Sequence, residues 1–163
     1  MHPIVDPVPT APQMRDYVTE FVARVNTRAR LPLDYSVKSL RVVDRVVDGL
    51  RRGRAGRARP VETLFGLGAY AGEVMVRRGG GFWIDLGVEQ RELFGQPLGI
   101  RMPDGRRWNP LGKVVKRFDY GAEESVALLY LQIHGRRRAG GPGHPGRPAR
   151  GAGPAGGGGG GAR

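Results

Sequence analysis

The amino-acid sequence predicts an α+β fold with three N-terminal helices, a small antiparallel sheet of about three strands and two C-terminal helices. Apolar residues recur at helical spacing in five segments, and the spacing changes to short aromatic or alternating runs between residues 82 and 108. The last 28 residues are rich in glycine, proline and arginine. We therefore expect a flexible proline-rich leader over 1–13, one globular domain over 14–135 and a disordered basic tail over 136–163.

The first and third helices each show one apolar stripe. The first begins at Met14 and carries apolar residues at intervals of three and four as far as Val25, and Pro32 ends any continuation. The third runs from Val61 or Glu62 to Arg78. It is rich in glycine, which costs about 1 kcal/mol in a helix interior. We expect a neighbouring element to pack very close to the backbone at its small residues, Gly66, Gly68, Ala69, Ala71 and Gly72.

The second helix begins near Ser36 and ends after Leu50. The side chains of Asp34 and Ser36 both suit an N-cap, because their oxygens accept the unpaired amides of a first turn. Asp44 and Asp48 lie among basic residues, and their spacing predicts ion pairs on the exposed face of the helix. The predicted partners are Arg41, Arg45, Arg51 and Arg52.

Residues 82–86 are aromatic and β-branched and predict a strand, and residues 98–102 alternate and predict a second. The Pro-Asp-Gly sequence at 103–105 favours a turn, so residues 106–108 return as a third strand and complete a hairpin.

Two helices follow the sheet. Asn109 suits an N-cap and Pro110 a first helical position, which predicts a helix through Asp119. Glutamates at 123–124 favour the first turn of a last helix, and Gly135 predicts its end.

The charge of the chain is unevenly distributed. The 163 residues carry a formal net charge of +12, with 27 basic and 15 acidic residues. Six arginines and no acid lie in 136–163, so residues 1–135 have a balance of only +6. Five further arginines cluster over 51–59. Weak, non-specific attraction to polyanions is expected for a chain of this charge.

Several functional classes are disfavoured by composition. There is no cysteine, which excludes disulfides and thiolate metal sites, and no histidine or carboxylate pair has metal-ligand spacing. We expect neither a metal nor a cofactor. The first twelve residues lack the pattern of a secretory signal and no apolar run reaches 18 residues, so we expect a cytoplasmic protein without a membrane span.

Two patterns give the chain a resemblance to a known group. Residues 33–40 read Leu-Asp-Tyr-Ser-Val-Lys-Ser-Leu, residues 67–74 read Leu-Gly-Ala-Tyr-Ala-Gly-Glu-Val, and Trp83 follows. Together with Asn-Pro-Leu-Gly-Lys-Val at 109–114, these residues resemble a family of small proteins of unknown function from bacteria, specifically actinobacteria. The resemblance covers most of 33–130. It implies one compact domain, and it implies no catalytic residue because the group has no settled activity.

Glu73 is the most interesting polar residue. Tyr70 lies three residues before it and Arg77 four after, so the three share one helix face. One interpretation is a solvent-side ion pair between Glu73 and Arg77. The other is a polar group at the rim of a pocket closed by Trp83 or Trp108, where a buried glutamate could act as a base. The candidate binding residues are Tyr70, Glu73, Trp83, Trp108, Asn109 and Lys113.

A glycine-rich run at 66–72 loosely imitates a dinucleotide-binding turn. The preceding residues are too polar for a central parallel strand and no further βαβ unit follows, so close helix packing is the favoured interpretation.

Three functional hypotheses remain. The favoured one is a non-enzymatic interaction module that binds a protein partner through the candidate residues. The second is an enzyme with an unrecognised site around Glu73. The third is a nucleic-acid-associated protein that contacts phosphates through the arginines of 51–59 and of the tail.

Overall fold

Six α-helices and a three-stranded antiparallel sheet make up the described part of the chain. The structure is a computed structural model that describes residue 5 and residues 7–139, with side chains as far as His134. The predicted tail therefore lies outside the described residues except for its first four positions. Single 3-10 turns at Ala11–Gln13 and Val37–Ser39 precede the first two helices. The elements are α1 (Met14–Ala29), α2 (Leu40–Arg52), α3 (Val61–Gly79), β1 (Phe82–Asp85), α4 (Val88–Phe94), β2 (Leu98–Arg101), β3 (Arg107–Trp108), α5 (Pro110–Tyr120) and α6 (Val126–Ala139).

The predicted α+β fold is confirmed, with three differences in its helices. Helix α4 was not predicted, because it buries no side chain and so lacks an apolar stripe. Helix α6 begins at Val126 rather than with the glutamates at 123–124, which lie in the preceding turn. It also continues through Gly135 to Ala139, so the predicted end at that glycine is wrong.

Helix α3 is the central element, and its glycines let neighbouring elements approach its backbone. A Cβ at position 66 would lie 2.2 Å from the ring of Phe21 on α1, and one at position 68 would lie 2.8 Å from Cα of Leu111 on α5. The predicted close packing is therefore confirmed. Because residues 66–72 all lie inside one helix, they form no strand-to-helix turn of the dinucleotide-binding kind.

The sheet has the order β1-β2-β3, and both pairs are antiparallel. Phe82 lies opposite Arg101 and Trp83 opposite Ile100. Strands β2 and β3 form the hairpin predicted around residues 103–105. Leu98 and Ile100 are completely buried, so β2 closes the core beside α3 and α5.

The two aspartates of α2 point inward rather than toward the arginines of its exposed face. Asp44 is only 7% exposed, and its carboxylate accepts the N–H of Val126 at 2.8 Å and of Ala127 at 3.3 Å. Asp48 accepts two hydrogen bonds from Arg117 of α5, at 2.9 and 2.8 Å. The predicted pairing with Arg41, Arg45, Arg51 and Arg52 is therefore wrong.

Part of the predicted leader lies against the domain. The 3-10 turn before α1 is closed by a capping box between Thr10 and Gln13. The backbone N–H of Ala11 donates to Asp85 at 3.0 Å, which joins this turn to β1. Val5 and Val8 are half-buried against the core. The domain boundaries themselves stay predictions.

Candidate functional site

Glu73 lies buried between a cation and an indole. It is 2% exposed, and its two carboxylate oxygens have different partners. Oε1 accepts from Nε of Arg77 at 3.2 Å, and Oε2 accepts from Nε1 of Trp83 at 3.2 Å. The predicted ion pair exists, but the solvent-side placement is wrong. Of the two tryptophans, Trp83 is the one that meets the glutamate.

Gly72 explains how the indole reaches the carboxylate. A Cβ at this position would lie 2.3 Å from Cη2 of Trp83 and 3.1 Å from Cγ of Pro110. Such distances lie well inside van der Waals contact, so only glycine leaves room for the ring. Strand β1 then carries Trp83 across α3, and Glu73 receives the indole N–H that would otherwise be unpaired.

Arg77 is held on its other side by an aromatic ring. Its guanidinium carbon lies 3.6 Å from the ring centroid of Tyr35, a close cation–π contact. The ring of Tyr35 lies 5.2 Å from that of Tyr70. Tyr35 has a positive φ of 60°, a conformation rare for a bulky side chain, and its carbonyl accepts from Nε of Arg78 at 3.1 Å.

Tyr70 lies inside the protein rather than on the binding surface expected for it. It is completely buried, its hydroxyl accepts the N–H of Tyr35 at 2.9 Å, and it shares a hydrogen bond with Ser39 at 2.6 Å. Burial raises the pKa of the Tyr70 hydroxyl above its ordinary value, while the hydrogen bond with Ser39 opposes that shift. Polar and aromatic contacts therefore run without interruption from Ser39 to Trp83.

This chain of contacts unites residues that are far apart in sequence. Ser39 and Tyr35 belong to the first pattern of the resemblance, and Tyr70 and Glu73 belong to the second. Sequence reasoning did not include Tyr35 and Ser39 among the candidate residues. The pattern at 33–40 was the available signal, although nothing in it shows which side chains meet the other pattern.

A surface depression opens beside Trp83, and we call it the Trp83 depression. Its volume is about 490 Å³. Phe82 at its edge is 50% exposed, and the exposed Arg15 of α1 has no carboxylate partner among the described residues. The lining residues are Ala11, Pro12, Arg15, Glu73, Val76, Arg77, Phe82 and Trp83.

The other three candidate residues do not line this depression. Asn109 caps α5, since its Oδ1 accepts the N–H of Gly112 at 2.8 Å and its Nδ2 donates to the carbonyl of Phe94 at 2.8 Å. Lys113 forms an ion pair with Glu124. Trp108 is half-buried on β3, and its buried Nε1 has no hydrogen-bond partner among the described residues.

A second cavity, of about 280 Å³, lies between the first turns of α3 and the outer side of α5. Leu64, Phe65 and Leu111 line its apolar part. Arg59 and Asp119 form an ion pair at its edge, with a closest distance of 2.8 Å. Sequence reasoning assigned Arg59 only to a basic cluster and gave no indication of this pairing.

Among the described residues, no group of histidine and carboxylate side chains is arranged to hold a metal ion. None of the described helices combines the length and the apolarity needed to cross a bilayer.

A scan against protein-family models, a search of curated proteins and a search of solved structures each returned no match. The resemblance to a bacterial family stays a prediction.

Proposed function

We propose that the protein is a non-enzymatic interaction module that binds a protein partner through the Trp83 depression. The observation that carries this proposal is the shared carboxylate. Glu73 holds Trp83 and Arg77 at the same time, beside an open surface. Tryptophan and arginine are the residue types that most often dominate binding energy at protein interfaces.

Preorganisation supports the same function. Ordering a long side chain on binding costs about 0.5–1.5 kcal/mol. The guanidinium of Arg77 is already fixed by Glu73 and the ring of Tyr35, and the indole of Trp83 is fixed by Glu73. A partner therefore loses less free energy to ordering here than at a surface of mobile side chains.

The geometry favours binding over catalysis at Glu73. The side chain is 3% exposed, and both of its oxygens already accept hydrogen bonds from within the protein. A general base must lie within hydrogen-bond reach of the proton that it removes, whereas the oxygens of Glu73 are already occupied by Arg77 and Trp83.

The depression also indicates the chemistry of the partner. Phe82, Trp83 and Val76 offer an apolar area, and Arg15 adds a cation without a carboxylate partner. We therefore expect a protein segment that places one apolar side chain over Phe82 and one carboxylate near Arg15.

Site-specific photo-crosslinking in the native host tests the proposal. Benzoylphenylalanine introduced at position 82 is expected to yield one discrete protein adduct. The same probe at position 93 is the control, because Leu93 is 81% exposed on α4 and lies outside the depression.

A charge reversal then tests the role of Arg15. Arg15→Glu is expected to abolish the adduct at position 82. Arg24→Glu is the control, because Arg24 lies nine residues further along α1, about 180° away around the helix and outside the depression, and it is expected to leave the adduct unchanged. Equal crosslinking from positions 82 and 93, or an adduct insensitive to Arg15→Glu, would contradict the proposed interface.

A further inference from the structure

Helix α2 presents an outer face of arginines whose expected counter-charges are turned inward. Asp44 and Asp48 are the only acidic residues between positions 37 and 61. The carboxylate of Asp44 accepts the backbone N–H of Val126 at the start of α6, and the carboxylate of Asp48 accepts hydrogen bonds from Arg117. Neither remains to neutralise the basic residues around it.

The spacing of these arginines places several of them on one side. Arg41, Arg45 and Arg52 are four and seven residues apart, so they lie within about 40° of one another around the helix. All three are exposed. Their backbone positions are separated along the axis by about 6 and 10 Å. They form a row of cations on the side of α2 that faces away from the core.

The segment that follows α2 extends the same charge. It continues to Pro60 without an acidic residue, and its Arg54 and Arg57 are exposed. Arg54 lies 5.5 Å from the ring centroid of Phe118, a contact that leaves its charge uncompensated. None of these side chains has a carboxylate partner in the part of the chain that the structure describes. We call this surface the arginine face; it comprises Arg41, Arg45, Arg52, Arg54 and Arg57, whereas the guanidinium of Arg51 turns toward Gly121 at the end of α5.

We propose that the arginine face binds the phosphate backbone of double-stranded nucleic acid. Arginine matches phosphate with a planar fork of donors and stays charged at any physiological pH. Five such groups without counter-charges supply the salt-sensitive, sequence-independent attraction that backbone binding requires. This inference is independent of the Trp83 depression, which shares no residue with the arginine face.

The surroundings favour a duplex over a single strand. Single-strand binding relies on aromatic side chains that stack on bases, and no aromatic residue occurs between positions 36 and 60. Tyr35, the nearest in sequence, is engaged by Arg77 and Tyr70, and Phe118, the ring beside Arg54, is only 2% exposed and so closed to a base.

The same surroundings disfavour a membrane surface. Membrane-bound amphipathic helices insert large apolar residues beside their cations. None of the large exposed apolar residues of the described chain lies on α2 or in the segment that follows it; they are Phe82, Val88, Leu93, Tyr120, Leu128 and Leu131.

A salt titration with matched variants tests this proposal on the full-length chain. The probe is a short mixed-sequence DNA duplex, and the readout is the slope of the logarithm of the binding constant against the logarithm of salt concentration. The test variant combines Arg41→Gln, Arg45→Gln and Arg52→Gln. The control combines Arg24→Gln, Arg28→Gln and Arg107→Gln, which removes the same charge at exposed positions elsewhere. The tail arginines are present in every protein compared.

The test variant is expected to lose about 2.7 from the magnitude of that slope, since each phosphate contact contributes about 0.9. When the salt concentration is raised fourfold, the binding constant of the wild type should therefore fall by a factor about 40 times larger than that of the variant. The control should keep the wild-type slope. Circular dichroism and urea unfolding of all three proteins establish that each is folded.

Two outcomes would overturn the proposal. If both variants lose slope equally, attraction depends on total charge rather than on this face. If the test variant binds the duplex like the wild type but fails to sediment with vesicles containing phosphatidylserine, the face recognises an anionic lipid surface instead.

Discussion

Asp44 on α2 caps α6 from 82 residues away in sequence, accepting the N–H of Val126 at 2.8 Å. It also accepts the N–H of Ala127 and the hydroxyl of Ser125, whose own oxygen accepts the N–H of Leu128 at 3.1 Å. Three amides that a helix start leaves unpaired are thus satisfied, and the negative charge lies where the helix dipole favours it.

Replacing Asp44 by asparagine should therefore loosen α6. The variant keeps one acceptor but removes the charge that serves two amides and lies 3.8 Å from Arg117. We expect a loss of about 2 kcal/mol in the free energy of unfolding, because hydrogen bonds to charged groups contribute about 1.5–3 kcal/mol. Urea denaturation measures the loss, and amide exchange should accelerate in α6 more than in α1. Glu20→Ala, at an exposed site on α1, is the control. Equal stability of the Asp44→Asn and wild-type proteins would show that the cap is dispensable.

Gly72→Ala and Gly49→Ala should have effects of opposite sign. Alanine favours a helix interior over glycine by about 1 kcal/mol. At position 49 nothing lies within 4 Å of the added methyl group, so the full gain is available. At position 72 the methyl group collides with Trp83, and such overpacking costs about 1–3 kcal/mol.

The measurement for this pair is urea unfolding combined with tryptophan fluorescence. Gly49→Ala should raise the midpoint without moving the emission maximum. Gly72→Ala should lower the midpoint and shift the emission to the red as the indole leaves Glu73. A stabilised Gly72→Ala protein with unchanged emission would mean that the indole is not seated on α3.

Glu124 should make the stability of the protein sensitive to strongly acidic pH, below about 4. The hydrogen bond from Lys113 lowers the pKa of this carboxyl below its ordinary value. Because the lowered value belongs to the folded state, the ion pair is stabilising above the unfolded-state pKa of about 4.3 and is lost as the pH falls through the folded-state pKa. Glu124→Gln should therefore lower Tm at pH 7 and have progressively less effect below pH about 4.

The neighbouring Glu123 supplies the matched control for this prediction. It is exposed and has no cation partner among the described residues. Glu123→Gln should leave Tm nearly unchanged at every pH. A difference between Glu124→Gln and wild type that stays constant down to pH 3 would exclude titration of the ion pair as the cause.

Periodicity was sufficient for the helices that bury a stripe and insufficient for the others. Helices α1, α2 and α5 each bury one face, so their positions were predictable from apolar spacing. Helix α4 buries nothing, and its Val88 and Leu93 are exposed. Gly135 predicts an end for the last helix, although α6 continues one turn past it.

The candidate site was predictable only where its geometry is local. The pairing of Glu73 with Arg77 follows from their spacing on one helix. The contact with Trp83 depends on where β1 crosses α3, which no local pattern encodes. The contact with Tyr35 depends on a positive φ that a bulky residue rarely adopts.

The aspartates of α2 also show that local spacing does not predict tertiary partners, here because it predicted ion pairs that do not form. Local spacing predicted ion pairs with nearby arginines, but exposed pairs of that kind contribute only about 0.3–0.5 kcal/mol. The buried amides of α6 and the guanidinium of Arg117 compete for the same carboxylates. Leaving such buried groups unpaired costs about 1–3 kcal/mol or more, so the tertiary partners prevail.

The glycines of α3 also determine how the chain can fold. Gly66, Gly68 and Gly72 make the isolated helix weak, since short helices are marginal in water even without glycine. The side chains that fill the spaces beside these glycines come from α1, β1 and α5 and span positions 21 to 111. Helix α3 therefore gains its stability only when those distant segments arrive. Assembly is expected to be all-or-none over this whole stretch, and no fragment that lacks α5 should retain a stable α3.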